Sequence, residues 1–321
     1  MRSKPRIGNI ELENRLILAP MAGMLRLSLR MAYRRGGCAM TCVGVVDARA
    51  VAESDTDNLI TILGRQEFTN EEEKPVCVQL LGGNIDDMVE AARKIEHRSS
   101  LLNLNFSGPI RSLVNADYGA SGLLGRPDII NQMTAAVVKA VKIPVTVKIR
   151  IGVGGEDVDV LRVAKGCQDA GSAAIMVHAR TVAGMYNGPV HWDWIEKVKN
   201  AVAVPVVGNG GVDTPQDAAA MMNQTGCDFV MLGKAPFINP LIFSQINEFL
   251  ETGHYAESSD AMTLLKFFRH YWQTSRRIDS PNPVKFFKRR CRAFLKMRAF
   301  MQQLQAGTVT LDWNAPKGKT E

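Results

Sequence analysis

A TIM (β/α)8 barrel with a small C-terminal helical domain is the fold this sequence predicts, and three features predict it. Eight short apolar runs alternate with helical stretches through residues 16–253 of the 321. The runs are apolar at successive positions, as strands of a parallel sheet covered on both faces are. Beyond about residue 254 the strand-like runs stop. Eight βα units point to a closed barrel; an open, doubly wound sheet is the other arrangement such a pattern allows. The expected organisation is a barrel over residues 1–253, a helical domain over 254–306 and a tail over 307–321.

In chain order, the expected strands are Leu16–Ala19, Met40–Val43, Val76–Leu80, Leu101–Asn105, Val145–Ile149, Ala174–Val177, Val206–Gly208 and Phe229–Leu232. Helical spacing of apolar residues places helices at Ile85–Glu96, Ile129–Val141, Asp157–Ala170, Trp192–Asn200 and Thr214–Gln224. Thr214 reads as an N-cap with Pro215 at the first helical position, where a missing N–H costs nothing. In the C-terminal block, Leu264, Phe267, Phe268 and Tyr271 recur at helical spacing, and a second helix follows Pro283.

Composition narrows the function classes. No apolar run approaches the roughly 18–20 residues that span a bilayer, and "MRSKPRIGNIELENRL" lacks the apolar core of a signal peptide. A cytoplasmic protein without membrane contact is expected. The six cysteines are scattered, with no CxxC, so buried free thiols are expected rather than a metal site. The net charge of +7 is uneven: residues 261–300 hold eleven Lys and Arg against the single acid Asp279. That block is +10, which leaves −3 for the rest of the chain. Such a block suits the phosphates of a nucleic acid, gripped without regard to sequence.

In a barrel of this kind, chemistry stands at the C-terminal ends of the strands. The first strand runs into Pro20, Met21 and Ala22, the third carries Gln79, and the fourth ends at Asn105. The fifth carries Lys148 and Arg150, the sixth His178 and Arg180. The seventh ends in the glycine turn Gly208–Gly211 with Asn209, the eighth in Gly233 and Lys234. Two glycine turns on the last two strands suit a phosphate, held by bare N–H groups. Lys148 lies inside an apolar strand, and a buried lysine needs an anionic partner, either a structural carboxylate or an anionic ligand such as a flavin ring. Gln79 can pair with a flavin edge as donor and acceptor. A lone His178 reads equally well as a satisfied core residue; Arg180 at the same strand end favours a site.

These motifs together resemble the tRNA-dihydrouridine synthases, an FMN-dependent family of TIM barrels. The resemblance rests on "NRLILAPMAG", "ESD" at Glu53–Asp55, "VQLLG", "PVTVKIRIG", "VHART", "PVVGNGGV" and "GCDFVMLGKA", in this order over nearly the whole chain. It implies that Pro20, Met21 and Ala22 line the flavin and that Gln79, Lys148 and His178 hold its ring system. It implies that Asn209, Gly210, Gly233 and Lys234 hold the phosphate, with Lys234 where the family usually has arginine, and that Asn105 and Arg180 face the target uracil. NADPH is the implied electron donor, and tRNA or another structured RNA the implied partner. Lys285, Lys288, Arg289, Arg290 and Arg292 of the basic block are the expected RNA-binding residues.

One departure bears on the chemistry. The family's acid is the cysteine of an N-x-G-C-P turn after the fourth strand, whereas this chain reads Asn105-Phe106-Ser107-Gly108-Pro109. Gly108 stands where the cysteine belongs, in a loop that runs about one residue longer. Three readings follow: another group or water supplies the proton, with Ser107, Arg111 and Tyr118 in the same loop; the chemistry differs; or the chain binds flavin or RNA without turnover. A small-molecule FMN oxidoreductase of dihydroorotate-dehydrogenase type is a further alternative, against which the basic block argues. A cysteine restored at 108 would be strained if the glycine adopts a positive φ.

Overall fold

The computed structural model describes residues 4–21, 23–55, 71–108, 120–154, 160–256, 266, 267, 269–271, 273 and 274. A two-stranded antiparallel ribbon, β1 (Arg6–Ile7) and β2 (Ile10–Glu11), comes first. Eight parallel strands then close on themselves: β3 (Leu16–Leu18), β4 (Met40–Asp47), β5 (Val76–Leu81), β6 (Leu101–Phe106), β7 (Val145–Arg150), β8 (Ile175–His178), β9 (Val206–Asn209) and β10 (Phe229–Leu232), with β10 paired to β3. The barrel is therefore closed, and the open-sheet alternative falls. Each predicted strand is present; β4 runs four residues further than expected, to Asp47, through a register shift between Val43 and Val46.

Helices follow the strands: α1 (Leu27–Arg35), α2 (Ala48–Ala52), α3 (Ile85–Ile95), α4 (Pro127–Ala140), α5 (Val160–Asp169), α6 (Asp193–Ala201), α7 (Pro215–Thr225), α8 (Ala235–Ile238) and α9 (Ile242–Thr252); α3 to α7 are the five that the sequence patterns predict, and α1, α2, α8 and α9 are additional. The predicted cap of α7 is a capping box. Thr214 accepts from the Asp217 N–H, while Asp217 accepts from the Thr214 N–H. Its other end is Gly226, at φ +66, which closes the helix in the left-handed region.

Alternation along the strands builds two cores. Leu16, Leu18, Val76, Val78, Leu102, Leu104, Val147 and Ile149 face the surrounding helices. Ile17, Met40, Cys42, Cys77, Leu101, Met176, Val207 and Phe229 fill the barrel itself. Cys38, Cys42, Cys77, Cys167 and Cys227 are buried and free, as expected; Cys291 lies outside the described residues. A buried ion pair, Arg30 Nε to Glu73 Oε1 at 2.6 Å, ties α1 to the segment before β5, and Thr41 donates to the same carboxylate.

Within the C-terminal block the described residues 266, 267, 269–271, 273 and 274 are helical. Phe267 and Tyr271 are buried, and Phe267 packs at 5.4 Å on the Tyr33 ring of α1, which also meets Phe243 of α9. Lys285, Lys288, Arg289, Arg290 and Arg292 lie outside the described residues, as do Ala22, Arg111 and Tyr118. No helix among the described residues is long and apolar enough to cross a membrane.

Candidate active site

The inward-facing positions of the barrel are apolar below and polar at the C-terminal mouth. Strand register explains which polar groups meet. Gln79, Asn103 and Thr146 are in register across β5, β6 and β7, and Asn105 is in register with Lys148. Arg150, His178 and Asn209 are in register across β7, β8 and β9. All eight side chains are buried.

Under the mouth runs a hydrogen-bonded chain. Gln79 Nε2 donates to Asn103 Oδ1 at 2.7 Å, and Asn103 Nδ2 donates to Thr146 Oγ1 at 3.0 Å. Gly44 lies beside Gln79: a Cβ there would stand 2.9 Å from Pro20 Cβ and 3.1 Å from Gln79 Cβ. Pro20, Gly44 and Gln79 thus form one wall.

The turn after β6 forms the next wall. Asn105 Oδ1 accepts from the Ser107 N–H at 2.9 Å and from Ser107 Oγ at 3.0 Å, which closes the turn as an Asx motif. Lys148 Nζ donates to Ser107 Oγ at 3.5 Å. Arg150 holds the turn from the other side, with Nε donating to the Ser107 carbonyl at 2.8 Å. Gly108 is not in the left-handed region; a Cβ on it would stand 3.4 Å from Ala120 Cβ and 3.7 Å from Asn105 Nδ2, which are ordinary separations. The strain considered for a cysteine at 108 therefore does not arise.

Charge at the mouth is positive. Burial pushes Lys148 down from its ordinary 10.5 to about 7; the nearby Arg150 adds to the shift and Cys42 opposes it. No carboxylate among the described residues is one of the charges acting on Lys148, so a structural ion pair does not explain it. His178 is held far below its ordinary value, by burial first and then by Lys148, Arg150 and Arg180. The ring is neutral. Arg180 Nη1 lies 3.4 Å from His178 Nε2, and arginine can only donate, so Nε2 accepts and Nδ1 carries the proton. Arg180 Nε donates to the Gly188 carbonyl at 2.8 Å.

The glycine turns complete the ring. Gly210 has φ +106, and a Cβ there would stand 2.8 Å from His178 Cδ2 and 3.2 Å from Arg180 Nη1. The Gly210 carbonyl is fixed by Trp192 Nε1 at 2.9 Å. Asn209 commits its amide to the Met231 carbonyl at 2.8 Å, tying β9 to β10. Gly233 stands over Ala19, and Lys234 is exposed beside it. The structure thus gathers Pro20, Gln79, Asn105, Gly108, Lys148, His178, Arg180, Asn209, Gly210, Gly233 and Lys234 around one mouth, with Met21 half-buried beside Pro20.

Three contributors were not assigned roles from the sequence. Arg150 is fully buried and bonds three backbone carbonyls, those of Ser107, Thr181 and Met185. Its signal was there: Lys148 and Arg150 are two residues apart on one strand and so share a face. Asn103 carried the same signal, two residues before Asn105. Trp192 had none, since its partner is a distant backbone carbonyl.

This cradle fits FMN in two respects. A buried lysine with no carboxylate partner among the described residues suits an anionic ring system. Glycines at 210 and 233 leave backbone open on the two adjacent strand ends.

Comparison with known proteins agrees with the architecture. A model of the family described as dihydrouridine synthase (Dus) matches residues 17–307. The tRNA-dihydrouridine synthase B of Vibrio vulnificus (strain CMCP6) is 36% identical over 253 residues, 77% of this chain and 76% of that protein. A probable tRNA-dihydrouridine synthase of Rickettsia bellii (strain RML369-C) is 31% identical over 269 residues, covering 84% and 81%. Among solved structures, histamine dehydrogenase from Rhizobium sp. 4-9 matches with a TM-score of 0.61 at 15% identity. A 2-naphthoyl-CoA reductase complex matches with a TM-score of 0.60 at 12% identity. Each of these two alignments covers 77% of this chain and about half of the solved chain (47% and 52%), and the likeness is one of fold. With a family model spanning nearly all of the barrel and relatives above 30% identity over three quarters of both chains, the chain belongs to the dihydrouridine synthase family.

Proposed function

We propose that this chain binds FMN at the barrel mouth and reduces uridine in tRNA, in the cytoplasm, with NADPH as electron donor. The observation that carries the reading is buried Lys148, with no carboxylate among the described residues acting on it, beside Gln79, Asn105 and His178 in a chain of this family. Reduced FMN, when bound, supplies the hydride that uracil C6 receives. Lys148 offsets negative charge on the ring system, and Gln79 orients its polar edge. Neutral His178 offers a proton at Nδ1 without adding charge. Backbone N–H groups of the two glycine turns, with Lys234, hold the phosphate. Asn105, held in place by Ser107, faces the target base with its Nδ2, and Arg180 faces it from the opposite wall. The turn after β6 carries no cysteine to supply the proton for C5. That role falls to the Ser107 hydroxyl, which Lys148 Nζ resupplies across 3.5 Å. An unactivated hydroxyl is a poor acid, so protonation is the slow step.

Gly108 also favours a second reading, a flavoprotein that binds RNA without turnover. Nucleoside mass spectrometry of tRNA from cells with and without the gene separates the two: loss of a dihydrouridine on deletion supports reduction, and an unchanged profile with RNA still bound supports the second.

Lys148 gives the cofactor reading its own test. Purified protein is expected to be yellow, and Lys148→Met to weaken FMN binding by about 10–100-fold, the range for a lost charge-assisted hydrogen bond. A bound anion favours protonated Lys148, so FMN binding takes up protons above pH about 7 and affinity falls as pH rises. Without FMN the sign is opposite for folding. An unfolded lysine keeps its proton up to about 10.5, so apoprotein stability rises from pH about 7 towards 10.5. Titrated FMN affinity that is flat from pH 6 to 10 would remove Lys148 from the cofactor site.

The basic block is the RNA grip in this reading. Affinity for tRNA is expected to fall steeply with salt, because each neutralised phosphate releases counterions. Replacing Lys288, Arg289 and Arg290 together by alanine is expected to flatten the log–log salt slope by up to about 3, one for each phosphate no longer neutralised. An unchanged slope moves the grip elsewhere.

A further inference from the structure

Five large apolar side chains are exposed among the described residues, and three of them share one place: Val153, Met185 and Tyr186, with Tyr186 the most exposed at 58%. They stand on the two loops that leave the C-terminal ends of β7 and β8, on the rim of the mouth. These loops are locked together. The Val182 N–H donates to the Gly152 carbonyl at 2.8 Å, and the Ala183 N–H to the Val153 carbonyl at 2.9 Å. Gly154, at φ +153, lets the backbones meet, since a Cβ on it would stand 2.7 Å from Ala183 Cβ.

Two arginines hold the ends of the Tyr186 loop. Arg150 Nη1 donates to the Thr181 carbonyl at 2.9 Å and the Met185 carbonyl at 2.7 Å, and Arg180 Nε donates to Gly188. Met185 sits at φ +50, a backbone conformation that side-chain-bearing residues rarely take. Such strain survives only where the surroundings fix it, and it clusters at functional sites. Here it turns Tyr186 outward at the apex. The Arg150 guanidinium carbon lies 5.5 Å from the Tyr186 ring centroid, so one side of the ring is backed by a cation while much of the rest faces solvent.

We propose that Tyr186 is a stacking platform for an RNA nucleobase flanking the target nucleotide; this rests on the reading that the substrate is RNA. Its position supports it. Arg150 bridges Tyr186 to the Ser107 carbonyl, next to Gly108, so the platform is one side chain away from the turn that faces the target base. A base drawn out of its stack for chemistry leaves its neighbour with one face bare. A rigid, exposed tyrosine above a buried arginine offers that face a partner, and base–aromatic stacking accepts any base. Arg150 and Arg180 put positive charge on this side of the mouth, with Asp213 the carboxylate acting on Arg180, and that charge suits a polyanion rather than an apolar protein face.

The test uses FMN-loaded full-length protein, an unmodified tRNA transcript, and a single-stranded oligoribonucleotide with 2-aminopurine beside a uridine. Tyr186→Phe is expected to bind as wild type and to quench 2-aminopurine fluorescence equally. Tyr186→Leu, similarly apolar but without a ring, is expected to bind about 5- to 100-fold more weakly and to lose the quench. Its salt slope should stay unchanged, because no charge is removed. Flavin absorbance and melting temperature report whether each variant is folded. Should the Leu variant unfold, Tyr186→Trp, expected to bind at least as tightly as wild type, decides the matter, and weaker binding by it overturns the platform. Wild-type affinity and quenching in folded Tyr186→Leu also overturn it, while dihydrouridine formation by the wild type would keep the reaction reading intact. Tyr186-dependent quenching without any dihydrouridine product would uphold the platform and overturn the reaction. A wild type that binds a protein but neither RNA overturns the platform.

Discussion

Gly108→Cys is expected to raise the single-turnover rate of dihydrouridine formation by about 10²–10⁴-fold, the usual contribution of a positioned general acid. Every other part of the site stands around that turn: Asn105, Ser107 and Lys148 are joined by hydrogen bonds, and Arg150 fixes the turn's backbone. The glycine's backbone lies outside the left-handed region, so a side chain is admissible. The new Cβ would meet Ala120 Cβ at 3.4 Å and Asn105 Nδ2 at 3.7 Å, close but not colliding, and on the Asn105 side of the turn. A thiol is a stronger acid than the Ser107 hydroxyl, so it should carry the proton to C5 and leave Ser107 as the partner of Asn105. The measurement is oxidation of reduced FMN by unmodified tRNA, with dihydrouridine counted in the product. A gain of ten-fold or more marks a synthase site that has lost its acid. No gain in a folded, FMN-loaded variant that still binds tRNA would mean different chemistry, or none.

The barrel was legible because its signal is local and repeated. Each strand is a short apolar run, and each is followed by helical spacing or a turn. Most mouth residues were legible for a related reason: polar side chains such as Gln79, Asn105, Lys148 and His178 are out of place in apolar strands. What alternation does not reveal is where a long side chain's head goes. Arg150 ends on the carbonyls of Ser107, Thr181 and Met185, and all three lie more than thirty positions away. The Tyr186 loop was illegible in part for the same reason, since Arg150 and Arg180 reach into it from outside and add to the bonds its own residues make. Nor does the sequence give a glycine's φ: Gly108 and Gly210 look alike, yet only Gly210 adopts a positive φ.

Arg150→Met is expected to destabilise the folded chain by roughly 3–5 kcal/mol in equilibrium denaturation. Methionine fills much of the stem's volume but donates nothing, so the carbonyls of Ser107, Thr181 and Met185 lose a buried donor, at about 1–3 kcal/mol for each left unsatisfied. Relief of the buried charge offsets part of that sum, because a guanidinium in this position is costly enough to lower its pKa from 12.5 to about 10. Even so lowered, the group is fully charged at neutral pH. Arg150→Lys should recover only part of the loss, since an ammonium is a point donor and cannot reach loops on both sides in one plane as the guanidinium does. The consequence for function is specific. Arg150 touches the Ser107 turn, the Met185 backbone and the Tyr186 ring together. Its loss should release the turn and the rim at once. RNA binding and 2-aminopurine quenching should then fall, while FMN, held by the glycine turns and Lys148, is retained in the molecules that remain folded. A variant as stable as wild type would show that the three carbonyls find other donors, and that Arg150 is present for substrate alone.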